Sequence, residues 1–502
     1  MSWFLKTSVV LGMLCWVATG VGRAVEFHPL FSDGAVLQQE REVPVWGKAR
    51  PGDQVKVTLG KVSAEAQADA DGKWMVHLPK MPVGGPFELV AEAAGQRAVS
   101  QDVYVGEVWL VSGQSNVGLR LKDATGGARA IEESEDPLLR VFEVPAGSSD
   151  EPVELEGGSW VPSSPGRSGS FSAVAYFFAQ GLRAELKVPV GVIVSEVGGS
   201  QIESWTSRRK TEERFPWTLR SWESTRQSLA RQFPDQEEPP SVQRGSIRWG
   251  KGTERAFRYF RGPTRIFNAM IYPLFPVSVR AVVWYQGESN QGQAHQYRSR
   301  LPAMIEDWRE HWGQEEMPFL IVMLPGYGRP DQGFTYELRD AQFETFRKVP
   351  HTALAIGVDL GDEREVHPPN KRPLGERLTR LALATQYGKP ITPTGPLYRE
   401  AEFRSGEVVI HFDYAEAGLE VRGEELSGFL IAGDDEKFVP AQARIVGQTV
   451  VVSSPDVPNP VAVRYAWTNT PTLTLWSTEG LPAAPFRTDD FTLKTNWDAR
   501  RR

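Results

Sequence analysis

Five near-continuous apolar runs, separated by stretches of helical periodicity, constrain this chain more than any other feature. Val105 to Val111 ends at Ser112-Gly113, and Pro189 to Val194 is followed by Gly198-Gly199. Ala281 to Tyr285 ends at Gln286-Gly287, and Pro318 to Met323 is followed by Pro325-Gly326. Ala353 to Val358 ends at Asp359-Leu360-Gly361-Asp362. A strand that is apolar at successive positions is buried on both faces, which is the condition of a parallel sheet between helix layers. The intervening segments repeat at the helical period: Ala175, Phe178, Leu182 and Leu186; Leu301, Ile305, Trp308 and Trp312; Leu374, Leu378, Leu381 and Thr385. Asn370 or Pro373 suits the start of the last helix. The expected fold class is therefore α/β with a parallel five-stranded core over residues 105–390.

The flanks read differently. Residues 25–104 alternate apolar and polar positions, as in Val55 to Leu59 and Trp74 to Leu78. Turn signals at Pro51-Gly52-Asp53, Asp71-Gly72 and Gly84-Gly85-Pro86 separate these runs, which predicts a small β-sandwich. Residues 391–490 turn β-rich again, with Val408 to Phe412 and Val450 to Ser453, and 491–502 read as a tail. Within the core, about 206–262 form a charged insertion carrying Trp217, Trp222 and Trp249. A segment this long is either a functional loop or a helical insertion with a small core of its own.

Residues 1–24 read as a secretory signal: Lys6, an apolar stretch from Thr7 to Val21, and the small-x-small site Gly22-Arg23-Ala24. The single cysteine, Cys15, lies inside it, and Leu14 before it is not the small residue a lipoprotein signal needs. The mature chain would then have no cysteine, hence no disulfide, no thiol nucleophile and no membrane anchor, with a secreted or periplasmic address. The formal charge of −7 and the absence of a long basic run argue against a nucleic-acid partner.

Parallel strands bring their carboxyl ends to one edge, so the loops after them can meet. Those loops carry Ser115, Gly198-Gly199-Ser200, Gln286-Gly287-Glu288 and Glu365-Val366-His367-Pro368. Acyl transfer by serine needs a hydroxyl, an imidazole to take its proton, and donors for the developing oxyanion. Of the seven histidines, only His367 follows a core strand and precedes a helix. The Gly-x-Ser-x-Gly elbow of α/β-hydrolases is not present, because Val117 stands two residues after the serine. No His-Glu-x-x-His or other compact ligand set appears, so neither a metal nor another cofactor is expected.

The blocks Gly106 to Asn116, Gly198 to Trp205, Asn268 to Leu274, Trp284 to Asn290 and His367 to Lys371 resemble the sialate O-acetylesterase family of the SGNH hydrolase superfamily. The flanks Phe31 to Gln38 and Glu479 to Asp489 match as well. The resemblance implies an SGNH, flavodoxin-like core with accessory β-domains, and metal-free removal of acetyl groups from sugar hydroxyls. It also implies Ser115 as nucleophile, His367 as general base, and backbone N–H groups of Ser115 and Gly199 in the oxyanion hole. Gln286 would add a side-chain donor there. Asn116 and Glu288 would support the site, Glu288 by bracing its loop.

Two positions depart from the family. Val117 replaces the usual Met, and Arg364 stands where the superfamily has an Asp, three residues before the histidine. The group orienting His367 is then Glu365, Asp362 or a backbone carbonyl, in that order of expectation. The expected substrate is an acetylated carbohydrate, sialate first. An acetylated xylan or other polysaccharide is the alternative, and a non-catalytic carbohydrate-binding protein is the alternative of another class.

Overall fold

The computed structural model describes residues 24–236, 241–243, 254–329 and 333–496. The expected signal sequence up to residue 23, Trp249 of the insertion and residues 497–502 lie outside the described residues. The core strands are β1 (Gln96–Gly113), β2 (Asp136–Glu143), β3 (Val190–Glu196), β4 (Ala281–Tyr285), β5 (Phe319–Met323) and β6 (Thr352–Ile356). They lie in the order β2-β3-β1-β4-β5-β6, each parallel to its neighbours, with Trp160–Ser163 antiparallel on the outer edge of β2. From β1 the chain passes to β2 and back to β3 on one side, then crosses to β4 on the other. The carboxyl end of β1 is thus the switch point where open α/β sheets form their crevice.

The expectation of five parallel strands is corrected to six. The strand that sequence reading missed is β2, whose apolar run is broken by Arg140. That guanidinium is buried yet satisfied, donating to the carbonyls of Gly34 (2.8 Å) and Asp102 (2.7 Å) and to the Asp102 carboxylate (2.7 Å). The expected domain boundary at 104–105 is also corrected, because it falls inside one unbroken strand. Tyr104 and Val105 of β1 pair with Val36 and Leu37, and from Glu107 onward the strand pairs with β3. The N-terminal strands Gln54–Leu59, Val62–Gln67 and Gly84–Ala93 therefore join the same 11-stranded sheet. A second sheet of Glu26–Phe27, Val43–Lys48 and Lys73–Leu78 completes the N-terminal part.

Helices cover both faces. Those of the core are α1 (Ala173–Leu186), α5 (Ala294–Trp312), α6 (Thr335–Lys348) and α7 (Arg372–Tyr387); the insertion supplies α2 (Arg208–Arg214), α3 (Pro216–Gln232) and α4 (Glu254–Phe260). Trp109 of β1 meets Phe178 of α1 edge-on at 4.9 Å, and its Nε1 donates to the Tyr387 hydroxyl of α7 at 3.1 Å. Trp284 of β4 lies opposite Ser112 in the ladder and so points to the other face. There it meets Trp308 of α5 edge-on at 5.7 Å, and Trp308 Nε1 donates to the Trp205 carbonyl at 2.9 Å. Burying each such side chain contributes about 2–3 kcal/mol, so these pairs fix the helices against the sheet that carries the site.

The C-terminal part holds two four-stranded sheets, Leu397–Arg404, Glu407–Asp413, Thr449–Ser453 and Gln442–Val446, and Val439–Pro440, Phe429–Ala432, Ala462–Tyr465 and Phe486–Arg487. It is pinned to the core by Arg339 of α6, which is fully buried and donates to the carbonyls of Leu324, Pro325, Thr468 and Asn469. The expectation of a tail from 491 is corrected for residues 491–496. The amides of Lys494 and Thr495 and the Thr495 hydroxyl all donate to the Glu337 carboxylate of α6, and Thr495 is fully buried.

Candidate active site

β1 ends at Gly113, which has φ +147 and sits so close to β4 that a Cβ would lie 2.0 Å from the Tyr285 carbonyl oxygen. Only glycine fits there, and this close approach turns the chain at the sheet edge. Ser115 opens the short helix Ser115–Gly118, and the Gln114 carbonyl accepts from Val117 N at 2.8 Å. His367 arrives on the loop between β6 and α7. The base of that loop is tied by Arg377, which donates to both Asp359 carboxylate oxygens (2.6 and 2.7 Å) and to the Ile356 carbonyl.

The structure brings Ser115 and His367 together across 252 positions of sequence: Ser115 Oγ is 2.7 Å from His367 Nε2. Glu365 is beside them but faces the backbone. Its Oε1 accepts from His367 N at 2.8 Å and stands 3.7 Å from Nδ1. Asp362 is not brought to the histidine; its carboxylate accepts from Arg364 N at 2.8 Å and shapes the turn. Burial pushes the His367 pKa below its ordinary value; Glu365 opposes that shift and Lys371 adds to it.

The Gly198-Gly199 loop lies against the serine, close enough that a Cβ on Gly198 would be 3.4 Å from Ser115 Cβ. Gly199 has φ +69, and its carbonyl accepts from Arg261 at 2.7 Å. Ser115, Gly198, Gly199 and His367 share the wall of one pocket of about 630 Å³. The amide of Ser115 opens a helix, where N–H groups lack intrahelical partners, and Gly199 lines the same pocket.

Gln286 does not join them, which corrects the expected side-chain oxyanion donor. It is fully buried, with Nε2 donating to the Ser200 carbonyl (3.1 Å) and Asn290 Oδ1 (2.8 Å) and Oε1 accepting from the Tyr297 hydroxyl (2.9 Å). Its hydrogen-bonding capacity holds two loops together. The residue that does reach the pocket is Gln114, whose Oε1 accepts from Gly287 N (3.4 Å) and Ser289 N (3.3 Å). Its place directly before the serine was the only sequence signal for it.

Beneath the pair lies a buried polar cluster. Asn116 Nδ2 donates to Glu288 Oε1 (2.5 Å) and to the Val366 carbonyl (2.9 Å), and Asn116 Oδ1 accepts from Lys371 Nζ. Asn116 thus ties the serine loop to the histidine loop. Burial raises the Glu288 pKa and depresses that of Lys371 to about 8. Lys371 carried no signal beyond its place at the end of the histidine block. A hydroxyl within hydrogen-bond reach of an imidazole at the wall of a pocket is an arrangement suited to acyl transfer. No group of three or more metal-ligating side chains occurs among the described residues.

Residues 240–384 match the family described as "Carbohydrate esterase, sialic acid-specific acetylesterase". The chain is 30% identical to the sialate O-acetylesterase of Mus musculus, over 95% of this chain and 97% of that protein. It is 29% identical to the sialate O-acetylesterase of Homo sapiens, over 93% and 92%. Its fold is similar to that of XAC1771, a carbohydrate acetylesterase from Xanthomonas citri, with a TM-score of 0.81 and 35% identity, covering 93% of this chain and 100% of that one. With this coverage and this identity, the chain belongs to the sialate O-acetylesterase family and is a carboxylic ester hydrolase of the carbohydrate-esterase kind.

Proposed function

We propose that this protein is an exported serine esterase that removes O-acetyl groups from sugars, sialate first among them. The observation that carries the reading is the 2.7 Å contact between Ser115 Oγ and His367 Nε2 in a pocket shared with Gly199. Ser115 Oγ attacks the acetyl carbonyl carbon while His367 Nε2 takes its proton. The backbone N–H groups of Ser115 and Gly199 donate to the oxyanion. The tetrahedral species collapses with cleavage of the bond to the sugar oxygen, which receives the proton from His367. Water then attacks the acetyl-serine, His367 takes its proton, and acetate leaves as Ser115 recovers its hydrogen. Asn116 keeps the two loops in register, Glu365 orients the histidine loop, and Glu288 braces the floor. The export rests on residues 1–24 and the sialate preference on the relatives' names.

Ser115→Ala should lower turnover of an O-acetylated sialic acid by about 10⁴-fold or more and abolish labelling by an organophosphonate. Substantial activity in a clean preparation of Ser115→Ala would falsify the assignment. Acetate release from sialic acids and from acetylated xylan, measured side by side, ranks the two substrate classes.

A further inference from the structure

The charged insertion reaches the serine pocket with its last residues. Its helix α4 ends at Phe260, and Phe260 and Arg261 both line that pocket. Arg261 Nη1 donates to the Gly199 carbonyl at 2.7 Å. The approach is so close that a Cβ on Gly199 would overlap the same nitrogen. The guanidinium therefore packs on bare backbone, at a residue whose φ of +69 already favours glycine. Two further contacts lace the same segments together. Ser204 Oγ donates to the Arg261 carbonyl at 2.6 Å, and Thr264 N donates to the Glu203 carbonyl at 2.8 Å. From behind, Trp222 of α3 packs on Gly262, where a Cβ would lie 2.5 Å from its ring, and it stacks on Tyr259 of α4 with ring centres 5.9 Å apart. The Tyr259 hydroxyl in turn donates to Asp150 at 2.8 Å. The end of the insertion is thus a braced strut whose tip is the Arg261 guanidinium.

The loop that this strut touches is held elsewhere by the core. The Ser200 carbonyl accepts from Gln286 Nε2 at 3.1 Å, and Ser200 Oγ accepts from Trp205 Nε1 at 2.8 Å. Gln201 Nε2 donates to the Ser289 carbonyl, and Ile202 N to Asn290 Oδ1, both at 3.0 Å. At Gly199 the hold on the carbonyl comes from the insertion instead. The amide and the carbonyl of one residue are linked by only two soft dihedrals, so fixing the carbonyl limits where the N–H can point. Glycine has the freest backbone of any residue and gains most from such a hold.

We propose that Arg261 is a positioning residue for the ester hydrolysis: it pins the Gly199 peptide so that the Gly199 N–H stays aimed at the oxyanion, which makes the insertion part of the catalytic apparatus. The inference rests on the esterase reading above and on the place of Gly199 in it. The test uses 4-nitrophenyl acetate, which has no sugar, so a loss of sugar contacts cannot imitate the effect. Arg261→Met keeps the bulk and removes the donor; its kcat should fall about 10- to 100-fold with KM within about twofold of wild type, as expected for a donor displaced by a fraction of an ångström. Labelling of Ser115 by an organophosphonate should slow in parallel, because that attack also builds negative charge on an oxygen facing the same donors. Arg261→Ala should show the same loss, and millimolar guanidinium should restore part of the rate, which a general weakening of the fold would not allow. A kcat near wild type in Arg261→Met, a loss confined to KM, or a loss in Arg261→Ala that guanidinium does not relieve overturns the assignment. Wild-type enzyme that turns over no acetyl ester, or Ser115→Ala that stays active, overturns the esterase reading and the assignment with it. Normal turnover by wild type with an unaffected Arg261→Met overturns the assignment alone.

Discussion

The Glu365 carboxylate holds the backbone N–H of His367 at 2.8 Å and stands 3.7 Å from the imidazole Nδ1 of the same residue. It holds the backbone of the histidine loop more closely than the ring, so in the proposed mechanism its effect on the proton transfer is indirect. Glu365→Gln should cost about tenfold in kcat, well short of the 10⁴-fold loss that follows when a buried triad carboxylate is neutralised. Asp362→Asn, at a residue whose carboxylate accepts from the Arg364 amide of its own turn, should cost less still. Steady-state kinetics on 4-nitrophenyl acetate decide the order; a collapse in Asp362→Asn with Glu365→Gln near wild type would reverse it.

The pH dependence follows from the sign of the His367 shift. In the proposed mechanism His367 must be unprotonated to act as base, so activity should rise as pH passes upward through its pKa. Burial and Lys371 lower that pKa, which places the acid limb of kcat/KM below the ordinary imidazole value of about 6.5. Lys371→Met removes a nearby positive charge and should move the limb upward. Glu365→Gln removes the opposing negative charge and should move it further down. A limb that stays put in both variants would mean another group controls it.

Gln286→Ala is expected to act through the fold. It leaves the Ser200 carbonyl, Asn290 Oδ1 and the Tyr297 hydroxyl short of a buried partner, which costs on the order of 2–4 kcal/mol. Denaturant unfolding should show that loss. A selective fall in kcat with unchanged stability would return Gln286 to the oxyanion.

Arg339→Met removes five hydrogen-bond donors from a site where four backbone carbonyls converge from the core and the C-terminal part. The carbonyls stay buried without partners, at a cost of about 3 kcal/mol or more. Unfolding followed by fluorescence and by circular dichroism should then separate into two transitions. One coincident transition at the wild-type midpoint would show that Arg339 does not couple the two parts.

The parallel core was legible because burial on both faces leaves an unmistakable run of apolar residues, as in Val108 to Val111 or Phe319 to Met323. The meeting of the Ser115 and His367 loops was legible because each loop follows such a run, and parallel strands send their carboxyl ends to one edge. The β2 strand was hidden because burying Arg140 needed carbonyls from residues 34 and 102, which no local pattern encodes. The fate of Gln286 was hidden for the same reason. An amide directly after a strand can face the pocket or the scaffold, and the partners that turned it inward, Ser200, Asn290 and Tyr297, lie on separate segments. Residue type and periodicity determined which strands form and which loops meet. Only the tertiary structure decided which polar atoms within those loops stayed free, because that depends on which distant carbonyls and hydroxyls arrive to satisfy the rest.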